Sequence, residues 1–450
     1  MHANAVISVQ VNGKPRTFDD ELAVPDLLRA LDIDPRLVAV AVNGEVVPKK
    51  SFGDTTIHDG DVIEVVRMVG GGATAGQGSA EVLIVGAGII GCAIAYELSR
   101  RGASCIVLDS RRLGMAATNA AAGVLSPLAE FERPGTLIRL GLESLRLYPT
   151  WVERVRDDVP DIDVEFATNG VLRVAFNENE LADYRAGLRF REELGVELIE
   201  LDQQLVREVE PRLSERVNGG VLSPEEGQVS NQLFTLALSR AAKKRGARFV
   251  EFAPILRFLR RSEKVVGVRT AQGDFACDRV VLAAGAWTRA IAKKLDADIP
   301  TSPVRGQMLA LGGMVTPIGR PVWGKRGYVT PRANGLVFAG ATVEEAGFRI
   351  RTTKRGLDSV RRGAFELVPQ LRQAKEHFTW AGLRPGSPDG LPIMGPLAGW
   401  DNVTVATGHF RNGILLAPIT GELMAGALVD GDWEPLKAFD LGRFDVQDPL

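Results

Sequence analysis

Glycines are the first residues in this chain whose spacing carries chemistry. Gly86-Ala87-Gly88-Ile89-Ile90-Gly91 reads GxGxxG. In such a motif the first glycine allows a tight turn, the second lets backbone approach a pyrophosphate, and the third permits close packing of helix on strand. A helix opening there points its positive end at the phosphates. Asp109, with Ser110 beside it, ends the next strand about 20 residues on, where an acid takes ribose hydroxyls. The motif alone fits a glycine-rich turn in an ordinary α/β protein. Here it follows a strand, opens a helix and is followed by the acid, a context that favours a dinucleotide, flavin or nicotinamide. Two further stretches favour a flavin. Thr118 to Leu125 (TNAAAGVL) includes Ala122, Gly123 and Val124, small enough for backbone to lie against a planar ring. Val280 to Thr288 (VVLAAGAWT) ends an apolar strand in small residues around Gly285. Each of these, taken singly, also fits plain packing of a strand and turn.

The elements that must position these residues follow a βαβ pattern. Glu81 to Val85 reads as a buried strand, Ile89 to Arg101 as a helix terminated by Gly102, and Cys105 to Asp109 as the next strand. A helix is expected within 222–246 (NQLFTLALSRAAKKRG), then strands near Arg248–Phe252, Val265–Arg269 and Arg279–Leu282. Residues 146–214 and 291–384 carry alternating apolar runs and turns and read as an inserted domain on antiparallel sheet. The first seventy-odd residues read as a separate unit. Val6 to Val11, Lys14 to Phe18, Leu37 to Val42 and Asp61 to Met68 are strands, Pro25 to Leu31 is a helix, and Asn12-Gly13 and Asn43-Gly44 are turns. Strand, strand, helix, strand, strand is a β-grasp order. Gly70-Gly71-Gly72 and the small residues of 73–80 read as a linker.

Bulk properties exclude several classes. At 450 residues the chain is too long for one core. With 45% hydrophobic and 24% charged residues it reads as soluble and globular, and a net charge of −2 offers no field to grip nucleic acid. Its three cysteines, Cys92, Cys105 and Cys277, form no CxxC pair or zinc spacing, so a reducing compartment and no metal are expected. No signal peptide and no membrane span is read from the sequence, and the expected location is the cytoplasm.

Three longer motifs complete the pattern: Gly327-Tyr328-Val329-Thr330-Pro331-Arg332, Trp380 to Gly386 (WAGLRPG) and Gly408 to Pro418 (GHFRNGILLAP). With the nucleotide motif they resemble the D-amino-acid-oxidase-like flavoproteins, and within them the glycine oxidases of thiamine biosynthesis, from about Glu81 to the C-terminus. The resemblance implies an α/β FAD-binding Rossmann-like domain over 81–145, 215–290 and 385–450. It implies an inserted antiparallel-sheet α+β substrate domain over 146–214 and 291–384. It also implies noncovalent FAD held by His409, Phe410, Asn412, Gly413, Ile414 and Leu415, by Thr118 and Ala122 to Val124, and by the Ile255 backbone. The family's substrate contacts map onto Tyr328, Arg384 and Arg411. A pocket-lining methionine maps onto Val343, and the ribose acid is Asp109 where the family more often has Glu. Residues 1–72 resemble the sulfur carrier protein of thiazole synthesis, a small α+β fold with a Gly-Gly end at Gly71 and Gly72, joined here through the linker 73–80. In that family the last glycine is a free carboxyl; here Gly72 is peptide-bonded.

Oxidation of a small amino acid needs an anchored carboxylate, and a guanidinium fork suits it. Arg384 is assigned that role, Tyr328 adds a hydroxyl donor, and Arg411 assists or orients the substrate. The flavin carries the hard step, so His409 is expected as a cofactor contact and not as a base. The turn at Asn412-Gly413 and a helix starting near Pro418 are expected to aim N–H groups at the reduced ring. Trp287 and Trp380 could line the site, with core packing the favoured role for each, and the cysteines are expected as inert thiols. The implied activity is oxidation of glycine to its imine, with oxygen as acceptor and peroxide released. The implied partners are a thiazole synthase and a carrier-adenylating enzyme, with a homo-oligomeric assembly. Rival readings are a sarcosine or small D-amino-acid oxidase, a nicotinamide dehydrogenase, and a carrier or binding module with an idle flavin domain.

Overall fold

The structure, a computed structural model, describes residues 6–444 except 13, 32, 34, 36, 37, 44, 68–77, 130–133 and 314–317. At the front, Ile7–Val11 alternates buried and exposed, turning Ile7, Val9 and Val11 onto one face. It pairs antiparallel with Lys14–Phe18 and parallel with Val62–Arg67. Val38–Val42 and Glu45–Val47 complete a five-stranded mixed sheet. Helix Val24–Ala30, with proline in its first turn, lays Leu27 and Leu28 into that face. This is the expected β-grasp, with Glu45–Val47 as a strand the sequence had concealed. Gly71 and Gly72 lie outside the described residues.

The second unit is a parallel sheet carrying an antiparallel hairpin extension. Arg248–Val250, Cys105–Leu108, Gly78–Val85 and Gly273–Leu282 run parallel in that order, and Val403–Thr407 joins beside Val280–Leu282. Helices Ile89–Arg100, Thr136–Asp158, Asn231–Lys244 and Ala417–Asp430 pack together over one face. Their core holds Tyr96, Tyr148, Trp151 and Phe234, all fully buried. Each such side chain contributes roughly 1.5–3 kcal/mol by leaving water.

The third unit is an eight-stranded sheet: Ile199–Asp202, Gly219–Ser223, Val171–Ala175, Val322–Gly324, Gly327–Pro331, Val337–Gly340, Ser302–Gly312 and Lys375–Gly386. All neighbours are antiparallel except Val171–Ala175 with Val322–Gly324. Strand alternation divides its side chains. Leu309, Leu311 and Val329 pack under helices Gln203–Val209 and Lys354–Leu367, whereas Met308 and Tyr328 face the opposite way, toward Ala122.

The elements redraw the expected boundaries. The strand of the nucleotide motif begins at Gly78, pairing with Phe275, so the linker ends before 80. Helix Thr136–Asp158 crosses the 145/146 division and packs with the cofactor-side helices. Gly219–Ser223 belongs to the substrate sheet, although 215–290 had been assigned to the cofactor domain. Conversely Ala292, Leu295 and Ile299 sit in the cofactor domain's core, and Arg384 to Gly386 complete a strand of the substrate sheet. Periodicity reports the element type; which sheet a strand joins depends on partners far away in sequence.

Candidate active site

The C-terminal ends of the parallel strands and the inward face of the antiparallel sheet enclose a cavity of about 570 Å³. The strand ends are where an open α/β sheet binds ligands. Gly86 has φ +116°, and a Cβ there would overlap the Ala283 carbonyl. A Cβ on Gly91 would overlap the Gly86 carbonyl oxygen, so the helix rests on the turn only because this position lacks a side chain. Ala87 donates its N–H to Asp109 Oδ2 at 2.7 Å, and the Arg111 N–H reaches Oδ1 at 2.8 Å. Burial raises the Asp109 pKa, and those two N–H groups act against the rise.

The small-residue loop forms one wall, and its carbonyls are held from outside the cavity. Asn231 Nδ2 donates to the Thr118 carbonyl at 2.6 Å, Trp380 Nε1 to that of Ala120 at 3.1 Å, and Arg332 Nη1 to that of Ala122 at 3.2 Å. The Val229 N–H holds the Gly123 carbonyl at 2.8 Å, and Thr118 Oγ1 accepts from the Ile89 N–H at 3.0 Å. Neither Asn231 nor Arg332 was singled out in the sequence, although Arg332 ends the GYVTPR motif. Trp380, expected in the core, also packs against Phe338 and Phe378. Trp287 takes the less favoured of its two expected roles: it lines the cavity, with the Arg111 guanidinium 3.9 Å from its ring centre.

The antiparallel sheet supplies the facing wall. Tyr328 is buried, stacked on its cross-strand partner Trp323 at 4.5 Å, with its hydroxyl 3.7 Å from Met308 Sδ. Arg411 brings its guanidinium to 5.5 Å from the Trp323 ring centre. Arg384 donates from Nη1 to the Thr342 carbonyl at 2.9 Å. Tyr328, Arg384 and Arg411 thus line one cavity, together with Met308 and Trp323, which sequence reading had missed. Trp323 could have been found by pairing the strand before GYVTPR with it in register; Met308 required knowing which way Ser302–Gly312 faces. Val343 is 56% exposed and outside the lining.

Of the other expected cofactor residues, Gly88, Ser110, Thr118, Ala122, Gly123, Val124, Ile255, Gly285, His409, Phe410, Asn412, Gly413, Ile414 and Leu415 all line the cavity, as do Gly86 and Asp109. Ala87 and Gly91 do not; they shape the turn behind it. His409 is buried with its Nε2 3.1 Å from Thr420 Oγ1, and burial pulls its pKa down to about 3, so the ring is neutral. The three cysteines are buried, and burial pushes Cys105 and Cys277 up to about 12. Among the described residues no acidic, histidine and cysteine cluster could hold a metal ion.

Residues 81–427 match the FAD dependent oxidoreductase family, and residues 9–72 match the ThiS family. The chain belongs to the FAD-dependent oxidoreductase family. It is 35% identical over 373 residues to the bifunctional protein ThiO/ThiG of Trichormus variabilis, covering 82% of this chain and 55% of that one. The chain therefore spans about half the length of the ThiO/ThiG relatives it matches. It is 33% identical over 368 residues to the glycine oxidase of Geobacillus kaustophilus, covering 81% of this chain and 96% of the relative. The crystal structure of glycine oxidase from that organism superposes with a TM-score of 0.77 at 32% identity, over 81% of this chain and 99% of that one. The cavity fits the family's cofactor. Glycines at 86, 88 and 91 leave the turn bare where a pyrophosphate would need room, Asp109 would give the ribose hydroxyls an acceptor, and the stapled loop offers a wall of small residues. Among the described residues no helix is long and apolar enough to cross a membrane.

Proposed function

We propose that this chain oxidises glycine to its imine, which hydrolyses to glyoxylate and ammonia or is consumed in thiazole formation for thiamine. The reading is supported above all by one observation. Two guanidiniums, Arg384 and Arg411, and the hydroxyl of Tyr328 line the same cavity as the nucleotide turn, and Asp109 is the one carboxylate among the described lining residues. Such a wall attracts a small carboxylate and holds no competing anion beside it.

In this reading Arg384 anchors the substrate carboxylate, its fork suited to two parallel bonds. Tyr328, held by its stack on Trp323, adds a hydroxyl donor, and Arg411 supplies a second positive group on the Trp323 side. Met308 and Trp323 narrow the space around Cα, which favours a substrate with little or no side chain. FAD, which the Gly86–Gly91 turn, Asp109 and the lining segments at 118–124 and 409–415 would hold, would supply the acceptor for the Cα hydride and the route of those two electrons to oxygen, giving hydrogen peroxide. The neutral His409 takes no proton in this scheme; it ties the Gly408 turn to helix Ala417–Asp430. Residues 412–416 line the cavity just ahead of helix Ala417–Asp430, whose positive end would favour the negative charge that a flavin gathers on reduction.

The ThiS-family front unit fits the same pathway, since an imine and a carrier-borne sulfur are both consumed by a thiazole-forming enzyme. Activation by an adenylating enzyme needs a free Gly72 carboxyl, so carrier activity requires a cut after Gly72. Intact-mass measurement of the native protein tests this, and finding only uncut chains removes it. The oxidase reading is tested by mixing the FAD-loaded protein with glycine, sarcosine or D-alanine without air while following the visible flavin spectrum. Rapid bleaching by glycine is expected. Bleaching by sarcosine or D-alanine but not by glycine reassigns the substrate, and bleaching by none of them leaves the oxidase reading without support.

A further inference from the structure

Arg384 lies on Lys375–Gly386, which pairs antiparallel with Ser302–Gly312 so that Val304 faces Arg384 and Gly306 faces Gly382. A Cβ on Gly306 would overlap the guanidinium, so the fork lies flat against bare backbone. Its observed anchor is a backbone carbonyl, that of Thr342. Thr342 sits in a stretch, 341–353, that has no helix and only one isolated strand bridge, and that exposes Val343 and Phe348. A carbonyl on an irregular exposed segment is a poor reference point for a catalytic side chain unless something holds it.

Glu344 helps to hold it, beside a backbone bond from the Thr342 N–H to the Gln307 carbonyl at 3.3 Å. Glu344 Oε1 accepts from Thr342 Oγ1 at 2.5 Å and from Gln307 Nε2 at 2.6 Å, and its Oε2 accepts from Arg305 Nη2 at 2.5 Å. The backbones of Arg305 and Glu344 exchange both N–H···O bonds at 2.9 Å. The Gln307 N–H donates to Thr342 Oγ1 at 2.9 Å, and Gln307 Oε1 accepts from the Thr353 N–H at 2.6 Å. Thr353 in turn caps helix Lys354–Leu367. Arg305 and Gln307 are buried. Burial alone would raise the Glu344 pKa; the bonds from Arg305, Thr342 and Gln307 outweigh it and hold the carboxyl below the usual range, as a charged acceptor. A charged acceptor satisfied from three side chains makes a stiff node.

We propose that Glu344 is a positioning residue for substrate recognition: through Thr342 it sets the direction in which Arg384 presents its guanidinium to the substrate carboxylate. The proposal rests on the reading of Arg384 as the carboxylate anchor. A misdirected fork weakens binding of any carboxylate and leaves the cofactor's surroundings as they were. The node reaches Arg384 through the Thr342 carbonyl.

The test uses the full-length, FAD-loaded protein with Glu344→Gln, Thr342→Val and Arg384→Ala. Glycine KM, anaerobic flavin reduction at saturating glycine, FAD content, and the dissociation constant of acetate are measured, acetate being read from the perturbed flavin spectrum. Loss of one bond to a charged group predicts about a tenfold rise in both glycine KM and acetate dissociation constant for Glu344→Gln. Reduction at saturating glycine and FAD content stay at wild-type levels. Thr342→Val, which removes a neutral hydroxyl, shifts the same two constants in the same direction by a smaller factor. Unchanged glycine KM and acetate affinity in Glu344→Gln, with Arg384→Ala strongly impaired in both, overturn the role of Glu344 alone. Unchanged values in Arg384→Ala overturn the anchor reading itself. Parallel loss of FAD and of reduction rate in both Glu344→Gln and Thr342→Val makes the node merely structural and overturns the proposal.

Discussion

The two walls of the cavity are built on different principles. The nucleotide wall is made by contiguous backbone: a strand, a glycine-rich turn and a helix, all within residues 78–100. The substrate wall is made by side chains from strands far apart in sequence, Met308, Trp323, Tyr328 and Arg384, with Arg411 arriving from a loop of the other unit. A wall of backbone is determined by local sterics and tolerates little change at a few glycines. A wall of side chains is determined by register, and each member can be altered without collapsing the rest.

This contrast is best challenged at its strongest point. Arg384→Ala is expected to lower kcat/KM for glycine by a hundredfold or more, since truncating one partner of a hydrogen-bonded charge pair costs about 2–5 kcal/mol. FAD content should stay intact, and steady-state kinetics with the flavin spectrum check both. The reciprocal change, Gly91→Ala, forces the helix off the Gly86 carbonyl. It is expected to destabilise the fold by about 1–3 kcal/mol and to release FAD. Thermal unfolding with and without added FAD measures it. If Gly91→Ala keeps FAD and loses glycine affinity instead, the division of labour between the walls is wrong. Tyr328→Phe removes one hydroxyl and is expected to raise glycine KM by a few fold, about 1 kcal/mol.

The smallest effect concerns the buried His409. Its folded pKa lies below the unfolded value, so its neutral form contributes stability above about pH 6.5, and that contribution falls as the pH drops toward the folded value of about 3. Between pH 6 and 5 the wild type is expected to lose about 1 kcal/mol more stability than His409→Gln. Denaturant titrations at the two values check this. The pH profile of flavin reduction should carry no inflection from His409, because the imidazole is neutral throughout that range.

Legibility followed the same division. The β-grasp order, the strand–turn–helix of residues 78–100 and helix Ala417–Asp430 were readable because each is signalled by neighbours in sequence: Asn-Gly turns, glycine spacing, an apolar period of 3.6, a proline in a first turn. The strand Glu45–Val47 was hidden by its brevity. The domain divisions near 145, 215, 290 and 384 were displaced because an amphipathic helix or an apolar strand does not say which sheet it covers or extends. The stapling of the 118–123 carbonyls by Trp380, Arg332 and Asn231 had no sequence signal beyond the presence of donors in motifs already noticed.

Residue order alone determined that this chain folds around a dinucleotide turn, carries a small β-grasp unit in front, and presents Tyr328, Arg384 and Arg411 within recognisable motifs. The first two rest on dihedral preferences and short-range periodicity, which act over a few residues; the three side chains stand out through the resemblance of their motifs to a known family. Only the tertiary structure decided that the three side chains line one cavity, that Met308 and Trp323 join them while Val343 stands outside, and that Glu344 braces the carbonyl against which Arg384 is set. These depend on strand register across separations of up to about eighty residues, where a shift of one position sends every side chain to the opposite face.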